Sequence, residues 1–71
     1  MILSQAQLNN LLGKRIVFDT CCELGKQRIT GDLLGYAIYY DEPTQIIVRC
    51  DAFGDEYFES SDIQRLRQIV N

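Results

Sequence analysis

Three cysteines, Cys21, Cys22 and Cys50, are the residues best equipped for covalent or metal chemistry in this 71-residue chain. Their spacing argues against both. Adjacent cysteines on a strand point to opposite faces, a poor arrangement for a disulfide framework, and the count is odd. The sequence has no histidine and no Cys-x-x-Cys pair, so no zinc site is expected. A reactive thiol needs a lowered pKa, and only Lys26 and Arg28 lie near enough in sequence to supply it. Ordinary thiols in a reducing compartment are the expectation. Signatures of catalysis are equally missing: there is no Gly-x-Ser-x-Gly, no phosphate-binding loop and no His-Glu-x-x-His. Asp55-Glu56 is a carboxylate pair, but on a turn it is solvated, with no burial to tune either group for acid–base work. No catalytic residue, cofactor or metal ligand is expected, and the chain reads as a non-enzyme.

Charge distribution is more informative. Between Asp41 and Asp62 lie seven acidic residues (Asp41, Glu42, Asp51, Asp55, Glu56, Glu59, Asp62) against Arg49. The remainder holds six basic residues (Lys14, Arg15, Lys26, Arg28, Arg65, Arg67) against Asp19, Glu23 and Asp32. A segment of about −6 and a remainder of about +3 give the net −3. Such polarity can steer a basic partner; it also serves solubility and keeps sheet edges apart. Aromatic side chains accompany the acidic segment: Tyr36, Tyr39, Tyr40, Phe53, Tyr57 and Phe58. Some of them must fill the core of so small a chain, yet adjacent Tyr39 and Tyr40 face opposite ways on a strand, as do Tyr57 and Phe58. Exposed tyrosine beside carboxylates suits a protein contact.

These groups must be positioned by short elements. Hydrophobic content of 46% with 24% charged residues is that of a globular chain, and the length suits one domain over 1–71. No apolar run is long enough for a membrane span and no leader pattern opens the sequence, so a cytoplasmic protein is expected. Ser4 and Gln7 have capping-box spacing, Leu8, Leu11 and Leu12 form one apolar stripe, and Gly13 supplies a left-handed stop; a helix over 4–12 follows. Alternating apolar residues predict strands at about 14–21, 28–40, 45–53, 56–60 and 65–70. Glu23–Lys26 is a loop, Asp41–Thr44 a turn, and Ser61–Ile63 a single helical turn. In the second strand the apolar phase changes across Leu33-Leu34-Gly35, as in a strand that bends or bulges at a glycine. At the C-terminal end, Ile63, Leu66 and Val70 fit helical spacing, but the need to cover a sheet edge favours a strand. The predicted core is Leu8, Leu11, Ile16, Phe18, Ile29, Leu33, Tyr36, Ile38, Ile46, Val48, Phe58, Ile63 and Leu66.

The run Leu11-Leu12-Gly13-Lys14-Arg15-Ile16-Val17-Phe18, then Thr30-Gly31-Asp32-Leu33-Leu34-Gly35-Tyr36, then Ile46-Ile47-Val48, resembles the first half of a small SH3-like or Sm-like β-barrel. The resemblance covers about residues 8–50 and implies a mainly β, five-stranded barrel preceded by a short helix. The loop Ala37–Thr44 contains no asparagine, so the uridine pocket of Sm-like proteins does not carry over. The absence of tryptophan likewise removes the proline-recognition platform of signalling SH3 domains.

A non-enzymatic protein-interaction module is therefore expected, a small regulator or inhibitor that binds a larger, basic or nucleic-acid-binding protein. Its expected contact residues are Tyr39, Tyr40, Asp41, Glu42, Phe53, Asp55, Glu56 and Tyr57. The alternative is a nucleic-acid binder using Lys14, Arg15, Lys26 and Arg28, which the acidic balance disfavours. Membrane partners are not expected, while homo-oligomers could form through strand edges, as Sm-like domains commonly do. A barrel of this size standing alone would suit a phage, plasmid or other mobile element.

Overall fold

The structure, a computed structural model, describes residues 3–22 and 25–70. Helix α1 (Gln5–Leu11) starts where the Ser4 hydroxyl accepts a hydrogen bond from the Gln7 amide at 3.1 Å, satisfying one donor of the first turn. Leu8 and Leu11 are buried. Leu12 is already extended (ψ 131°), so it leaves the predicted stripe and is exposed. Gly13, at φ +75°, then turns the chain so that its amide donates to the Leu33 carbonyl at 2.8 Å. The helix is thereby fastened to the sheet it precedes.

Five antiparallel strands follow: β1 (Arg15–Cys22), β2 (Gly25–Ala37), β3 (Gln45–Cys50), β4 (Gly54–Glu59) and β5 (Ile63–Gln68), with a 3-10 turn at Ser60–Asp62. Their order in one sheet is β4-β3-β2-β1-β5. β2 begins three residues before its predicted start, at the expected loop residues Gly25 and Lys26; Glu23 and Leu24 of that loop lie outside the described residues. β2 bulges between Leu33 and Gly35, where the apolar phase changes. Ile29 and Leu33 point inward before the bulge, and Tyr36 packs against the core after it. Ile38 does not join them. Pairing with β3 ends at Ala37–Gln45, so Ile38 runs off the sheet and is 55% exposed, contrary to the predicted core.

Leu8 and Leu11 from α1, Ile16 and Phe18 from β1, Ile46 and Val48 from β3, and Ile63 and Leu66 from β5 fill the interior, with Leu3 and Cys50 added to the predicted set. Val17 is also buried, on the other face of β1. Phe18 of β1 meets Phe58 of β4 edge to face, ring centroids 5.0 Å apart. Those strands are three places apart in the sheet, about 14 Å if it were flat. The sheet therefore curls around its core. It remains open: β4 and β5 are its two borders, and no ladder joins them among the described residues.

β5 has its own irregularity. Asp19 pairs with Gln64 and Val17 with Arg67, so Arg65 and Leu66 together oppose one residue of β1. Arg65 takes φ +59° at this bulge, the left-handed region disfavoured for side chains other than glycine. The burial pattern over Ile63–Gln68 is in-out-out-in-out-out. The extra residue keeps Arg65 off the core side and restores Leu66 to it.

Candidate interaction surfaces

The predicted acidic and aromatic contact residues fall into two groups. Tyr39, Tyr40, Asp41 and Glu42 lie in the β2–β3 turn. Phe53, Asp55, Glu56 and Tyr57 lie in the β3–β4 turn and on β4. The six residues of β3 hold the two turns about 17 Å apart. The second group has the better platform. β4 borders the sheet, Tyr57 is 71% exposed beside half-buried Ile47, and Glu56 and Glu59 are exposed without an ion pair among the described residues. In the first group Tyr39 Oη donates to Gln45 Oε1 at 3.5 Å, while Tyr40 is fully open to solvent and Asp41 and Glu42 are exposed.

Asp55 is differently placed from Glu56. Successive partners across the sheet are Asp55–Arg49, Arg49–Asp32 and Asp32–Arg15. Directly opposed residues share a face, so four strands carry a row of alternating charge. Arg49 Nε donates to Asp55 at 3.1 Å, and Arg15 Nη1 donates to Asp32 at 3.2 Å. Arg15 also holds both carboxylate oxygens of Asp51, from the β3–β4 turn. That hydrogen bond depresses the Asp51 pKa below the ordinary carboxylate value and raises that of Arg15. These side chains are exposed and screened by solvent, so each pair adds little to stability. Their effect is to neutralise this row and fix the turn.

The predicted basic set is also divided. Arg15 pairs with Asp32, whereas Lys26 pairs with Cys21, about 20 Å away along β1. Lys14 and Lys26 make no ion pair among the described residues, and Arg15 is consumed by two carboxylates. A different group of guanidiniums does converge. Arg28 Nε donates to Asp19 at 3.3 Å, and Arg65 Nη1 stands 3.8 Å from the same carboxylate. Arg67 Nη1 donates to the Arg65 carbonyl at 2.9 Å. Asp19 itself is buried, so one shielded carboxylate meets two exposed arginines, with a third folded beside them. Sequence reasoning missed Arg65 and Arg67; the apolar spacing of three between Ile63 and Leu66 was the signal that a bulge separates them.

Where β2 runs past the end of β3, Arg28, Ile29, Thr30, Cys50, Asp51, Ala52 and Phe53 line a cleft of about 180 Å³. It is smaller than the roughly 300 Å³ at which drug-sized sites begin. Burial raises the Cys50 thiol pKa, helped by Glu56, Asp51 and Asp55, so the thiol stays protonated at neutral pH. Cys21 is exposed. Among the described residues no group of three His, Cys, Asp or Glu side chains is placed to hold a metal ion, and no helix is long and apolar enough to cross a membrane. Comparison with family models, with curated proteins and with solved structures brings no match.

Proposed function

We propose that this protein is a non-enzymatic interaction module, a small regulator or inhibitor that binds a larger protein through the β4 border of its sheet. One observation carries the proposal: β4 is an open edge bearing exposed Tyr57 between Asp55 and Glu59 on one face, with exposed Glu56 on the other. An open edge offers main-chain donors and acceptors to an added strand, and its side chains select which strand. Carboxylates flanking a tyrosine select a basic, extended segment, including one on a nucleic-acid-binding protein. The strand order and the curl of the sheet support reading the fold as a small SH3-like or Sm-like barrel, in which such borders are what remains available for contact.

The test is capture of partners from nuclease-treated lysate by wild type, by Glu56→Lys/Glu59→Lys and by Lys14→Gln. A captured protein that is lost with the double lysine variant, retained with Lys14→Gln, and that slows amide exchange in 54–59 would support the proposal. Capture that is indifferent to the double variant would overturn it. A second occupant is favoured by one observation: the other border, β5, carries Arg65 and Arg67, opposite in charge to β4. A head-to-tail pairing of copies would use both borders, and sedimentation of the protein alone separates this from partner binding.

A further inference from the structure

We propose that the wall opposite β4 binds single-stranded nucleic acid, with phosphates on Arg28, Arg65 and Arg67 and one base seated against Phe53 in the adjoining cleft. Arg28 belongs to both parts of the site: it lines the cleft and it shares the Asp19 carboxylate with Arg65. Each guanidinium has five N–H donors. Among the described residues Asp19 receives one from Arg28, and the Arg65 carbonyl receives one from Arg67. The Arg28 and Arg65 side chains are 61% and 69% exposed and Arg67 is exposed, leaving planar forks of the geometry that suits phosphate oxygens. Asp19 offsets one of the three charges and sets the spacing of Arg28 and Arg65.

The cleft adds what a bare cationic patch lacks. Its walls are Ile29, Thr30, Ala52 and half-exposed Phe53, and about 180 Å³ accommodates one flat ring better than a larger ligand. Stacking on an aromatic face is tolerant of base identity. Asp51, on the cleft wall, is ion-paired with Arg15, a guanidinium it shares with Asp32, and this reduces its repulsion of a phosphate. From the cleft side of β2 across β1 to β5 is two strand spacings, about 10 Å, so the charges follow a path instead of meeting at a point. That favours a strand over a lone anion. The net charge of −3 does not forbid it. Asp55 and Glu56 at the start of β4 lie close enough to the cleft to act on Cys50, so the cleft takes the uncharged base, while the phosphates lie on the arginines of β2 and β5.

The test is fluorescence anisotropy of a labelled oligothymidylate about twelve nucleotides long, titrated at roughly 50 and 200 mM salt. Wild type is expected to bind, with affinity falling about tenfold between the two salts, as two or three neutralised phosphates require. Arg65→Gly removes a guanidinium at a position where the backbone prefers glycine, and it should weaken binding and flatten the salt slope by about 0.7. Arg67→Gln should do the same without touching the bulge. Phe53→Ala should weaken binding at least about fivefold and leave the slope unchanged. Lys14→Gln, remote from the site, should change neither. Absence of binding at the lower salt, equal loss in Lys14→Gln, thymidine monophosphate binding as tightly as the oligomer, or displacement by polyglutamate as effective as by unlabelled oligomer would each overturn the proposal.

Discussion

A β-carbon built on Gly31 would lie 2.2 Å from the Arg49 carbonyl oxygen and 2.9 Å from Val48 Cγ1. The first neighbour is backbone, held in the β2–β3 ladder, and cannot rotate away. Gly31→Ala must push β3 off β2 and is expected to cost roughly 1–3 kcal/mol or more, a fall in Tm of about 10 °C for a domain this size. Gly35→Ala is the control. Its β-carbon would meet Ile47 Cδ1 at 3.6 Å, an ordinary contact, and its φ is not positive. Reduced freedom of the unfolded chain should leave that variant unchanged or slightly more stable. Equal losses in both melts would defeat the steric account. The irregular strand around these glycines was legible from the phase of Leu33 and Leu34. The close approach at Gly31 was not, because it depends on which strand lies beside β2. Arg65 was hidden for a related reason: the spacing of Ile63 and Leu66 fits a helix as well as it fits a strand carrying one extra residue.

At the scale of elements, side-chain pairs hold together segments that the ladders leave apart. Arg15 joins the start of β1 to the β3–β4 turn through Asp51, and Tyr36 Oη donates to Asn9 of the helix. Asp51 has a folded pKa below its unfolded value, which lies near 3.9. Its contribution is complete above that value and disappears as pH falls through the lower folded pKa. Arginine stays charged throughout this range. The wild-type Tm should therefore drop on acidification below about pH 4 more steeply than that of Arg15→Gln or Asp51→Asn. Parallel curves for all three proteins would rule the clasp out. The sequence displays the cap and stop of the helix at Ser4 and Gly13, because both act within one turn of chain. It could not show where β2 ends, since Ile38 and Tyr40 alternate as well as any strand. Only the length of β3 decides that Ala37 is the last paired residue. For the same reason the turns bearing Asp41 and Asp55 look like one patch in sequence, and β3 separates them.

Across the whole molecule, charge is divided between the two borders of one curled sheet. β4 carries Asp55, Glu56 and Glu59; β5 carries Arg65 and Arg67. Like charges along a border keep copies from adding strand to strand, whereas opposite charges on two borders invite head-to-tail pairing. The two effects predict opposite responses to one variant. Glu56→Thr/Glu59→Thr removes the unpaired carboxylates, keeps β-compatible side chains and leaves the Asp55–Arg49 pair intact. If β4 is reserved for a basic partner, wild type is a monomer guarded by these carboxylates. The variant, more β-prone and less charged, should then gain mass with concentration in sedimentation equilibrium while its Tm stays within a few degrees. That is the expected outcome, since the β4 proposal needs a vacant edge in the free protein. A head-to-tail assembly would give the reverse: an oligomer in wild type that weakens with salt and falls to monomer in the variant. The direction in which the mass moves decides whether the acidic border faces another protein or the basic border of a second copy.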